Sequence, residues 1–516
     1  MPREIQITIP AEFTDDHTYL VTAVAKSTGV EKNRITNVQV RKKSIDARGR
    51  QIKLVMSVIA WIDEVYMPES AFLPDFKNVK DQQEVFIIGA GPAGYFSALQ
   101  LLEMGIKPVI IERGKEVRSR RRDLAAITKN HIVNPESNYC FGEGGAGTYS
   151  DGKLYTRSDK RGDIKRVLDL FIYFGAAVDI GIDAKPHIGT NKLPEIIQNM
   201  RKCILDHGGE IRFETRLDDL DIQFDKINSI TVNGNEKIKT SKVILATGHS
   251  SRMIFEMLHH KNILIEAKPF ALGVRAEHPQ QLIDAAQYHC KTRPEYLPAS
   301  YYSFVSQELE RGVYSFCMCP GGIIAPCATS PGEIVTNGWS PSKRNNPYAN
   351  SGIVVEIRLD DIVKFGFKEN PLMAMEFQSS IETLACTMAG GDQTAPAQRL
   401  VDFVNDKVST TLPECSYTPG VKSVDLKKVL PDFVAKRLQS GFKSFGKKMP
   451  SYFTNEAILV APESRTSSPV KIPRDAKSFQ HPQVAGLMPC AEGAGYAGGI
   501  VSAAIDGIKC AACSIF

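Results

Sequence analysis

A glycine pattern near residue 90 is suited to binding the phosphates of a dinucleotide. Gly89, Gly91 and Gly94 have the spacing GxGxxG, and the carboxylate of Glu112 follows at the end of the next predicted strand. In such a loop the first glycine permits a tight turn, the second lets the backbone approach a pyrophosphate, and the third lets the helix pack against the strand. The helix N-terminus attracts phosphate, and the acid accepts hydrogen bonds from a ribose diol. The pattern therefore predicts a dinucleotide-binding site.

Two later glycine-containing segments extend this prediction to FAD. Residues 244–248, with the sequence ILATG, are typical of a strand followed by a turn of small residues. Residues 486–500 form a dense glycine loop that precedes a predicted helix over residues 501–510. A helix that begins beside a flavin stabilises negative charge on the reduced ring through its dipole. We therefore expect residues 246–248 and 492–500 to contact the same cofactor as the first glycine loop.

The elements around these segments predict an α/β fold with a parallel sheet. Residues 85–88 are a continuous apolar run, which is typical of a strand buried on both faces of such a sheet. A helix over residues 91–104 and a second buried strand over residues 109–111 complete a βαβ unit. The pattern also predicts a helix at residues 192–207 and strands at residues 210–213 and 242–246.

The chain divides into three predicted units, of which the FAD-binding unit is split. Residues 1–80 show the order strand, helix, strand, strand and are expected to form a small N-terminal α+β domain of ferredoxin-like type. From residue 268 to residue 430, short alternating strands are interrupted by Pro-Gly and Asn-Gly turns, which predicts an inserted, mostly antiparallel β substrate domain. This domain is expected to interrupt a Rossmann-like FAD-binding domain that comprises residues 81–267 and 431–516.

The composition is that of a globular protein with more than one domain. The chain has 516 residues, of which 43% are hydrophobic and 23% are charged, and these values do not favour disorder. A net charge of +5 gives no reason to expect nucleic acid as a partner. The 11 cysteines show no disulfide framework, and the sequence shows neither a signal peptide nor an apolar run of membrane-spanning length. We therefore expect a cytoplasmic protein with reduced thiols and no membrane partner.

Several longer strings resemble a little-characterised bacterial branch of FAD-dependent dehydrogenases within the glutathione-reductase-like FAD-binding superfamily. The resemblance covers roughly residues 85–267 and 430–516, including the glycine loops. It also rests on four strings, which are FGEGGAGT at 141–148, PHIGT at 186–190, ATGHS at 246–250 and RTSSPV at 465–470. It implies a bound FAD, an oxidoreductase activity and a substrate domain of the antiparallel kind.

The resemblance implies a role for each glycine-rich segment. The first loop would face the pyrophosphate, Glu112 the adenosine ribose, residues 215–217 the adenine, residues 144–148 the flavin, and residues 498–500 the pyrimidine edge. The cofactor-binding residues expected on this basis are Gly89, Gly91, Pro92, Ala93, Gly94, Glu112, Arg113, Gly144, Gly145, Gly147, Thr148, Leu217, Ala246, Thr247, Gly248, Glu492, Gly493, Gly498, Gly499 and Ile500.

Two features depart from the disulfide reductases of this superfamily. Those enzymes carry a Cys-x4-Cys pair after the first βαβ unit, whereas this region of the chain holds only Cys140. We therefore expect no dithiol relay beside the flavin. A second GxGxxG pattern is missing, so that either NAD(P)H docks transiently as electron donor or the electrons come from a different donor.

Lys153 and His249 are the predicted catalytic residues. Lys153 follows a glycine loop and can place a positive charge near the flavin or orient an anionic substrate; the alternative is a surface lysine in a turn. His249 can act as an acid or base near neutral pH, as can His187, and for both the alternative is a structural histidine. Arg275 and Arg465 are candidates for binding the carboxylate of a substrate.

Other charged and sulfur-containing groups have plainer interpretations. The basic run at residues 118–122 is expected to be a solvated helix face rather than a phosphate site. The basic hairpin over residues 41–50 offers charge to RNA but lacks an aromatic pair for stacking bases. The last helix is expected to bury Cys510 and Cys513. No metal site is expected, because no fourth ligand accompanies Cys317, Cys319 and Cys327.

These observations favour an FAD-dependent enzyme that transfers a hydride or an electron pair between FAD and a small organic substrate. Two alternatives stay open. One is a flavin-bearing sensor or binding module whose N-terminal domain engages RNA or a protein partner. The other is a flavin hydroxylase that uses O2. In the leading interpretation no stable nucleic acid partner is expected.

Overall fold

The computed structural model describes residues 2–68, 70–155 and 162–514. In this part of the chain the helices are α1 (His17–Thr28), α2 (Pro92–Met104), α3 (Val117–Asn130), α4 (Ile164–Tyr173), α5 (Leu193–Asp206), α6 (Arg252–His260), α7 (Gln280–Tyr288), α8 (Leu359–Lys364), α9 (Met373–Ala389), α10 (Leu400–Val404), α11 (Asp432–Lys448) and α12 (Ile500–Cys513). The strands are β1 (Arg3–Pro10), β2 (Ile35–Asp46), β3 (Lys53–Ile62), β4 (Glu84–Ile88), β5 (Lys107–Ile111), β6 (Glu210–Arg212), β7 (Leu217–Gln223), β8 (Lys226–Val232), β9 (Glu236–Lys239), β10 (Val243–Leu245), β11 (Glu266–Ala267), β12 (Phe270–Pro279), β13 (Val305–Glu308), β14 (Arg311–Cys319), β15 (Ile323–Pro326), β16 (Thr336–Trp339), β17 (Tyr348–Ile357), β18 (Ala395–Arg399), β19 (Val421–Ser423), β20 (Ile458–Glu463), β21 (Val470–Lys471) and β22 (Leu487–Pro489). None of these helices combines the length and the hydrophobicity that a membrane span requires.

A five-stranded parallel sheet forms the centre of the α/β unit, with the strand order β22-β10-β4-β5-β6. Strand β4 pairs in parallel with β5 and β10, and β10 pairs in parallel with β22. Residues 85–88 are buried, as expected of a strand that is covered on both faces. The α/β class and the parallel sheet predicted from sequence are thereby confirmed. The sheet unites strands from two distant parts of the chain, because β22 follows more than 200 positions after β10.

Helices α2 and α12 pack closely against each other. A Cβ atom on Gly507 would lie 2.2 Å from the carbonyl oxygen of Ala93, so only glycine permits this approach. The hydroxyl of Ser97 donates a hydrogen bond of 2.9 Å to the carbonyl oxygen of Gly507. Because α2 follows the first glycine loop and α12 follows the last, this contact fixes the position of one loop relative to the other.

A seven-stranded sheet with the order β13-β14-β17-β12-β20-β18-β19 forms the second large unit. Its pairs are antiparallel except for β18 with β19. Helices α9 and α11 contribute Phe377 and Phe442 to the core beside this sheet. Strand β20 belongs to the sheet, so the chain leaves it after residue 463 and not at residue 430. The sequence pattern suggested the earlier end because α11 interrupts the series of short strands.

The N-terminal segment forms a three-stranded antiparallel sheet with the order β1-β3-β2, against which α1 packs. Asp16 caps α1 by accepting a hydrogen bond of 2.9 Å from the backbone N–H of Tyr19. Gly29 ends the helix in the left-handed conformation that glycine favours. Tyr288 and Leu297 join the core of this sheet, so the N-terminal unit packs on the end of α7 and on the segment that follows it.

Candidate functional site

Three loops leave the carboxyl edge of the parallel sheet side by side. The loop after β4 contains Gly89 and Gly91, the loop after β10 contains Thr247, and the loop after β22 contains Glu492. Because these strands are parallel neighbours, their loops meet at the edge where open α/β sheets bind ligands. A Cβ atom on Gly493 would lie 2.0 Å from the carbonyl oxygen of Thr247, so the second and third loops are in direct contact.

Glu112 holds several of these segments together. Its carboxylate accepts hydrogen bonds from the backbone N–H groups of Ala90 at 2.9 Å, Gly114 at 2.8 Å and Gly142 at 2.9 Å. The side chain is buried but still borders the cavity described below. The sequence predicted a ribose contact for Glu112, and the structure adds that this carboxylate links the first glycine loop to two other turns.

We expect that replacing Gly94 by alanine destabilises the α/β unit by about 1–3 kcal/mol, as overpacking typically does. A Cβ atom at this position would lie 1.9 Å from the carbonyl oxygen of Gly89, so α2 would have to move away from β4. Thermal unfolding followed by circular dichroism measures the effect. Gly49→Ala is the control, because its new Cβ would have only an ordinary contact at 3.9 Å. Equal unfolding temperatures for the two variants would contradict this prediction.

The three loops border a cavity of about 400 Å³, a volume in the range of small-molecule sites. Four of the expected cofactor-binding residues, Gly94, Gly144, Thr148 and Gly493, do not line it and instead pack within its walls. The others do line it, namely Gly89, Gly91, Pro92, Ala93, Glu112, Arg113, Gly145, Gly147, Leu217, Ala246, Thr247, Gly248, Glu492, Gly498, Gly499 and Ile500.

Three glycines of the cavity wall have free space in front of them. A Cβ atom built on Gly91, Gly248 or Gly498 would have no neighbour within 4 Å. All three residues line the cavity, so a side chain there would take up space that a ligand needs. Backbone that a ligand can approach this closely suits the pyrophosphate and the ring of a flavin dinucleotide. The residues present therefore fit FAD.

Helices α2 and α12 both begin at this cavity. Pro92 and Ala93 of α2 and Ile500 and Ala503 of α12 line it. The first turn of a helix has free N–H groups and partial positive charge. The start of α2 is thus suited to phosphate, and the start of α12 is suited to negative charge on a reduced flavin.

His249 and Glu492 form a polar pair between the second and third loops, and both line the cavity. The Nδ1 atom of His249 lies 3.5 Å from Oε1 of Glu492. Burial raises the pKa of Glu492, but the interactions with His249 and Lys268 outweigh burial and hold this pKa below its ordinary value. The pair therefore places an imidazole and a carboxylate next to each other at the wall of the cavity.

Lys153 lines the cavity as a fixed positive charge. Its Nζ atom lies 3.7 Å from Sγ of Cys317, 3.8 Å from Sγ of Cys319 and 3.9 Å from Oδ2 of Asp151. Asp151 is itself buried and forms a salt bridge of 2.8 Å with Arg344. Burial lowers the pKa of Lys153, but the thiols and Asp151 outweigh burial and raise it. Lys153 is thus part of a network and not a free surface lysine.

The two arginines expected to bind a substrate carboxylate are instead engaged by acids of the protein. Arg275 is fully buried, and its guanidinium group lies 2.7 and 2.9 Å from the two carboxylate oxygens of Glu463. Arg465 forms salt bridges of 2.9 Å with Glu382 and 3.1 Å with Glu333. Arg275 does not line the cavity, whereas Arg465 does, and the charge of each is balanced by an acid because a buried arginine must be paired.

Arg120 corrects the interpretation of the basic run at residues 118–122. Its side chain is fully buried, so this residue is not part of a solvated helix face. It donates hydrogen bonds of 2.7–3.0 Å to the backbone carbonyl oxygens of Asn138, Tyr139, Glu143 and Gly145. Arg120 therefore shapes the turn that carries Gly145 to the cavity.

Two other candidates, His187 and Cys510, are surrounded by groups that already interact within the fold. The Nε2 atom of His187 lies 3.1 Å from the carbonyl oxygen of Ser342, and burial lowers the pKa of this histidine. Cys510 lies within 4.8 Å of ligand atoms on Cys490 and Asp506, but Asp506 already forms a salt bridge of 2.6 Å with Arg474. The positive charge of that arginine disfavours a metal ion at this cluster.

Glu382 is expected to make stability depend on acidic pH. It accepts salt bridges of 2.7 Å from Arg252 and 2.9 Å from Arg465. Burial raises its pKa, but the two arginines outweigh burial and lower the pKa from 4.5 to about 2. The folded state thus favours the ionised form, and this stabilisation is present above pH 4.5 and is lost as the pH falls toward 2.

The measurement is the difference in unfolding temperature between the wild type and Glu382→Gln as the pH is lowered from about 5 to about 3. We expect the difference to shrink, because the glutamine cannot ionise. A difference that stays constant over this interval would contradict the assignment.

Three cavity residues from the second unit could not be identified from sequence. Phe316 and Cys317 of β14 and Asn337 of β16 line the cavity. The sequence predicted glycine turns at residues 320–322 and 337–338, but residues 337–338 lie within β16. A turn pattern does not indicate which strand ends beside another unit. No local sequence pattern therefore identifies the residues of this cavity wall.

Three family models match the chain. The model described as "FAD binding domain" matches residues 82–136, which include the first glycine loop and Glu112. The model described as "FAD-dependent protein, C-terminal domain-like" matches residues 269–466, a range that includes β12 and β20 of the seven-stranded sheet. A domain of unknown function matches residues 1–61, which include the sheet β1-β3-β2 up to Trp61. Two of the three models thus point to FAD.

Comparison with whole proteins gives one strong match and several weak ones. An uncharacterized protein of Clostridium beijerinckii (strain ATCC 51743 / NCIMB 8052) is 41% identical over 518 residues, which is 96% of each chain. Among solved structures, the L-amino acid deaminase from Proteus vulgaris is 13% identical, with a TM-score of 0.34, and the match covers 87% of this chain and 96% of that one. The glycine oxidase from Bacillus cereus ATCC 14579 is 13% identical, with a TM-score of 0.30, and the match covers 83% and 94%. These two structural matches are too weak to support an argument about function. The extent of the first match leads to one conclusion: the chain belongs to the same family as the Clostridium beijerinckii protein, and two parts of it match models of FAD-binding and FAD-dependent proteins.

Proposed function

We propose that this protein transfers a hydride or an electron pair between a bound FAD and a small organic substrate. The observation that supports this most is the composition of the cavity wall. Loops of the parallel sheet border the same space as Phe316, Cys317 and Asn337 of the second unit. A cofactor along the loops and a substrate beside the second unit would then share one cavity of about 400 Å³.

Different residues of the chain would bind different parts of the cofactor. The free space in front of Gly91 and the start of α2 suit the pyrophosphate. Glu112 borders the cavity with its carboxylate already oriented by three backbone N–H groups, and it is proposed to accept a hydrogen bond from the ribose. Residues 215–217 line the same cavity and are proposed to face the adenine. Gly498 and the start of α12 are proposed to lie at the flavin ring.

Lys153 and His249 are proposed to act on the substrate side of the reaction. A bound flavin supplies the site that accepts or donates the electron pair. Lys153 would orient an anionic substrate or stabilise developing negative charge, since its ammonium group is held in place by Asp151. His249, paired with Glu492, would take up or release the proton that accompanies the electron pair. The matched family models describe FAD binding. We propose an organic electron donor first, with NAD(P)H as the alternative donor.

The proposal is tested by single-turnover reduction without oxygen. Protein loaded with FAD is mixed with amino acids, hydroxy acids, thiols and NAD(P)H in turn, and the absorbance of oxidised flavin at about 450 nm is followed. We expect at least one organic donor to bleach this band faster than it bleaches free FAD. Lys153→Met should slow that bleaching by about tenfold or more. Lys165→Met, at an exposed lysine, is the control that should leave the rate unchanged.

A protein that binds FAD but reacts with every donor no faster than free FAD does would contradict the proposal. Bleaching by NAD(P)H alone, followed by rapid reoxidation with O2 in the presence of an organic compound, would favour a hydroxylase instead.

A further inference from the structure

Two thiols lie next to Lys153 at the cavity wall. Cys317 lines the cavity, and Cys319 is fully buried behind it. Their sulfur atoms lie 3.7 and 3.8 Å from the same ammonium nitrogen of Lys153. Both residues are free cysteines. The thiols at positions 317 and 319 thus lie beside the same positive charge, and Cys317 is the one that a small molecule in the cavity can reach.

The backbone at Cys317 has an unusual conformation. Its φ angle is +48°, in the left-handed region that residues with a side chain rarely adopt. The register between β14 and β17 shifts between Phe316 and Cys319, which is a β-bulge. Bulges next to active sites re-aim a side chain. The buried Arg275 supports this one by donating a hydrogen bond of 3.3 Å to the carbonyl oxygen of Cys317. The fold therefore holds a strained residue in place at the cavity.

The surroundings favour a thiolate on Cys317 and a protonated thiol on Cys319. The side chain of Cys319 lowers the pKa of Cys317 most; burial opposes this effect, and Lys153 and Arg275 add to it, so the pKa lies well below its ordinary value. The side chain of Cys317 and burial raise the pKa of Cys319, whose thiol donates a hydrogen bond of 3.3 Å to the backbone carbonyl oxygen of Cys317. A thiolate is the reactive form of cysteine, and a neighbouring thiol can resolve its oxidised form.

We propose that Cys317 and Cys319 form a redox-active pair that a small hydroperoxide oxidises to a disulfide. In the first step the sulfur of Cys317 attacks the terminal oxygen of the hydroperoxide, the one that carries hydrogen, and the O–O bond breaks. The leaving oxygen takes a proton from Lys153, so that water or an alcohol departs and Cys317 is left as a sulfenic acid.

In the second step the sulfur of Cys319 attacks the sulfur of Cys317. An S–S bond forms, the S–O bond breaks, and the hydroxyl group leaves as water with the proton of the Cys319 thiol. The two cysteines lose two electrons, which the two oxygens of the peroxide gain.

Two observations favour a peroxide over a carbon electrophile. An ammonium group 3.7 Å from the attacking sulfur is placed to stabilise a developing hydroxide or alkoxide. A second thiol reacts with a sulfenic acid to form a disulfide, whereas the addition of a thiolate to a carbon atom needs no second thiol. The pair requires no cofactor for these steps, so the inference does not rest on the proposed function.

The test follows the thiols of the full-length protein by mass spectrometry. The protein is treated with one equivalent of hydrogen peroxide, the remaining thiols are alkylated, and peptides are analysed. We expect the peptide that contains Cys317 and Cys319 to lose both alkylation sites to a disulfide. Cys203 is the internal control, because burial raises its pKa to about 11, and it should stay reduced.

Variants separate the two steps. In Cys319→Ser, dimedone should trap a sulfenic acid on Cys317, and in Cys317→Ser the thiol of Cys319 should stay reduced. Lys153→Met should slow the oxidation of Cys317 by about tenfold or more, whereas Lys165→Met should not change it. If these variants do not fold, the wild-type experiment still decides, because Cys203 is the unreactive reference thiol in the same sample.

Oxidation of Cys317 at the rate of Cys203, or a Cys319→Ser variant without a sulfenic acid, would overturn the proposal. The FAD content of the same sample is measured by absorbance. A protein that binds no FAD but forms the disulfide would refute the proposed function and leave this inference intact. A protein that binds FAD but whose Cys317 does not react with the peroxide would overturn this inference and leave the proposed function intact.

Discussion

Replacing Gly91 by valine is expected to weaken FAD binding at least about 100-fold, which corresponds to roughly 3 kcal/mol. Gly91 has φ −78° and ψ −174°, an extended conformation that valine adopts without strain. A Cβ atom there would have no protein neighbour within 4 Å, and the residue lines the cavity. The added carbon atoms would thus occupy the space proposed for the pyrophosphate, while the fold should be preserved.

Titration of the cofactor-free protein with FAD, followed by flavin fluorescence, measures this effect. Gly312→Val is the matched control, because its new Cβ would have only ordinary contacts at 3.9 Å and because valine suits its position in β14. We expect the control to bind FAD like the wild type. Gly248→Ala adds a smaller side chain to the same cavity and should weaken binding to a lesser degree. Unchanged affinity in Gly91→Val, with the fold intact, would remove the first loop from the proposed site.

Replacing Arg275 by methionine is expected to lower the free energy of unfolding of the antiparallel unit by about 3–5 kcal/mol. Arg275 is fully buried, and its hydrogen bonds to both carboxylate oxygens of Glu463 measure 2.7 and 2.9 Å. Without the arginine, Glu463 would be a buried charge with no counter-ion. Burial already raises the pKa of Glu463 even in the presence of Arg275, so the unpaired carboxyl would be protonated or strongly destabilising.

The matched experiment is urea unfolding of Arg275→Met and of the double variant that also carries Glu463→Leu. Removing both charges should recover much of the lost stability, because two apolar side chains of similar size leave no buried charge. Equal losses in the single and the double variant would show that packing, and not the charge pair, determines the effect. Hydrogen exchange of the β12 amides reports on the same region and should increase in the single variant.

The sequence was most informative where a backbone requirement is local. Gly89 and Gly94 could be interpreted because a tight turn and a close helix–strand contact each need glycine, and the structure shows that a Cβ on Gly94 would collide with Gly89. The parallel strand at residues 85–88 could be predicted because burial on both faces leaves a continuous apolar run.

The sequence was least informative where a side chain meets a distant partner. Arg275 lies in β12, a strand that is buried on both faces, and nothing near it in the chain indicates that Glu463 neutralises it 188 positions later. Arg120 lies in a run of basic residues, yet it is the member that turns inward to bind backbone carbonyl groups. The position of Cys317 at the cavity depends on a bulge in β14, which is a property of strand pairing and not of local composition.

The boundary of the antiparallel unit shows the same contrast. Viewed alone, the long helical sequence pattern of α11 is typical of the second part of the α/β unit. The helix instead buries Phe442 in the core beside the seven-stranded sheet, and β20 then completes that sheet. Only long-range strand pairing distinguishes these two possibilities.

The central claim is that three separate loops of one chain form a single binding site for FAD. The most direct test is the identity and amount of flavin released when the purified protein is denatured in acid. One FAD per chain in the wild type, and little or none in Gly91→Val, is the predicted result. A correctly folded wild-type protein that carries no flavin and takes up none from solution would contradict the account.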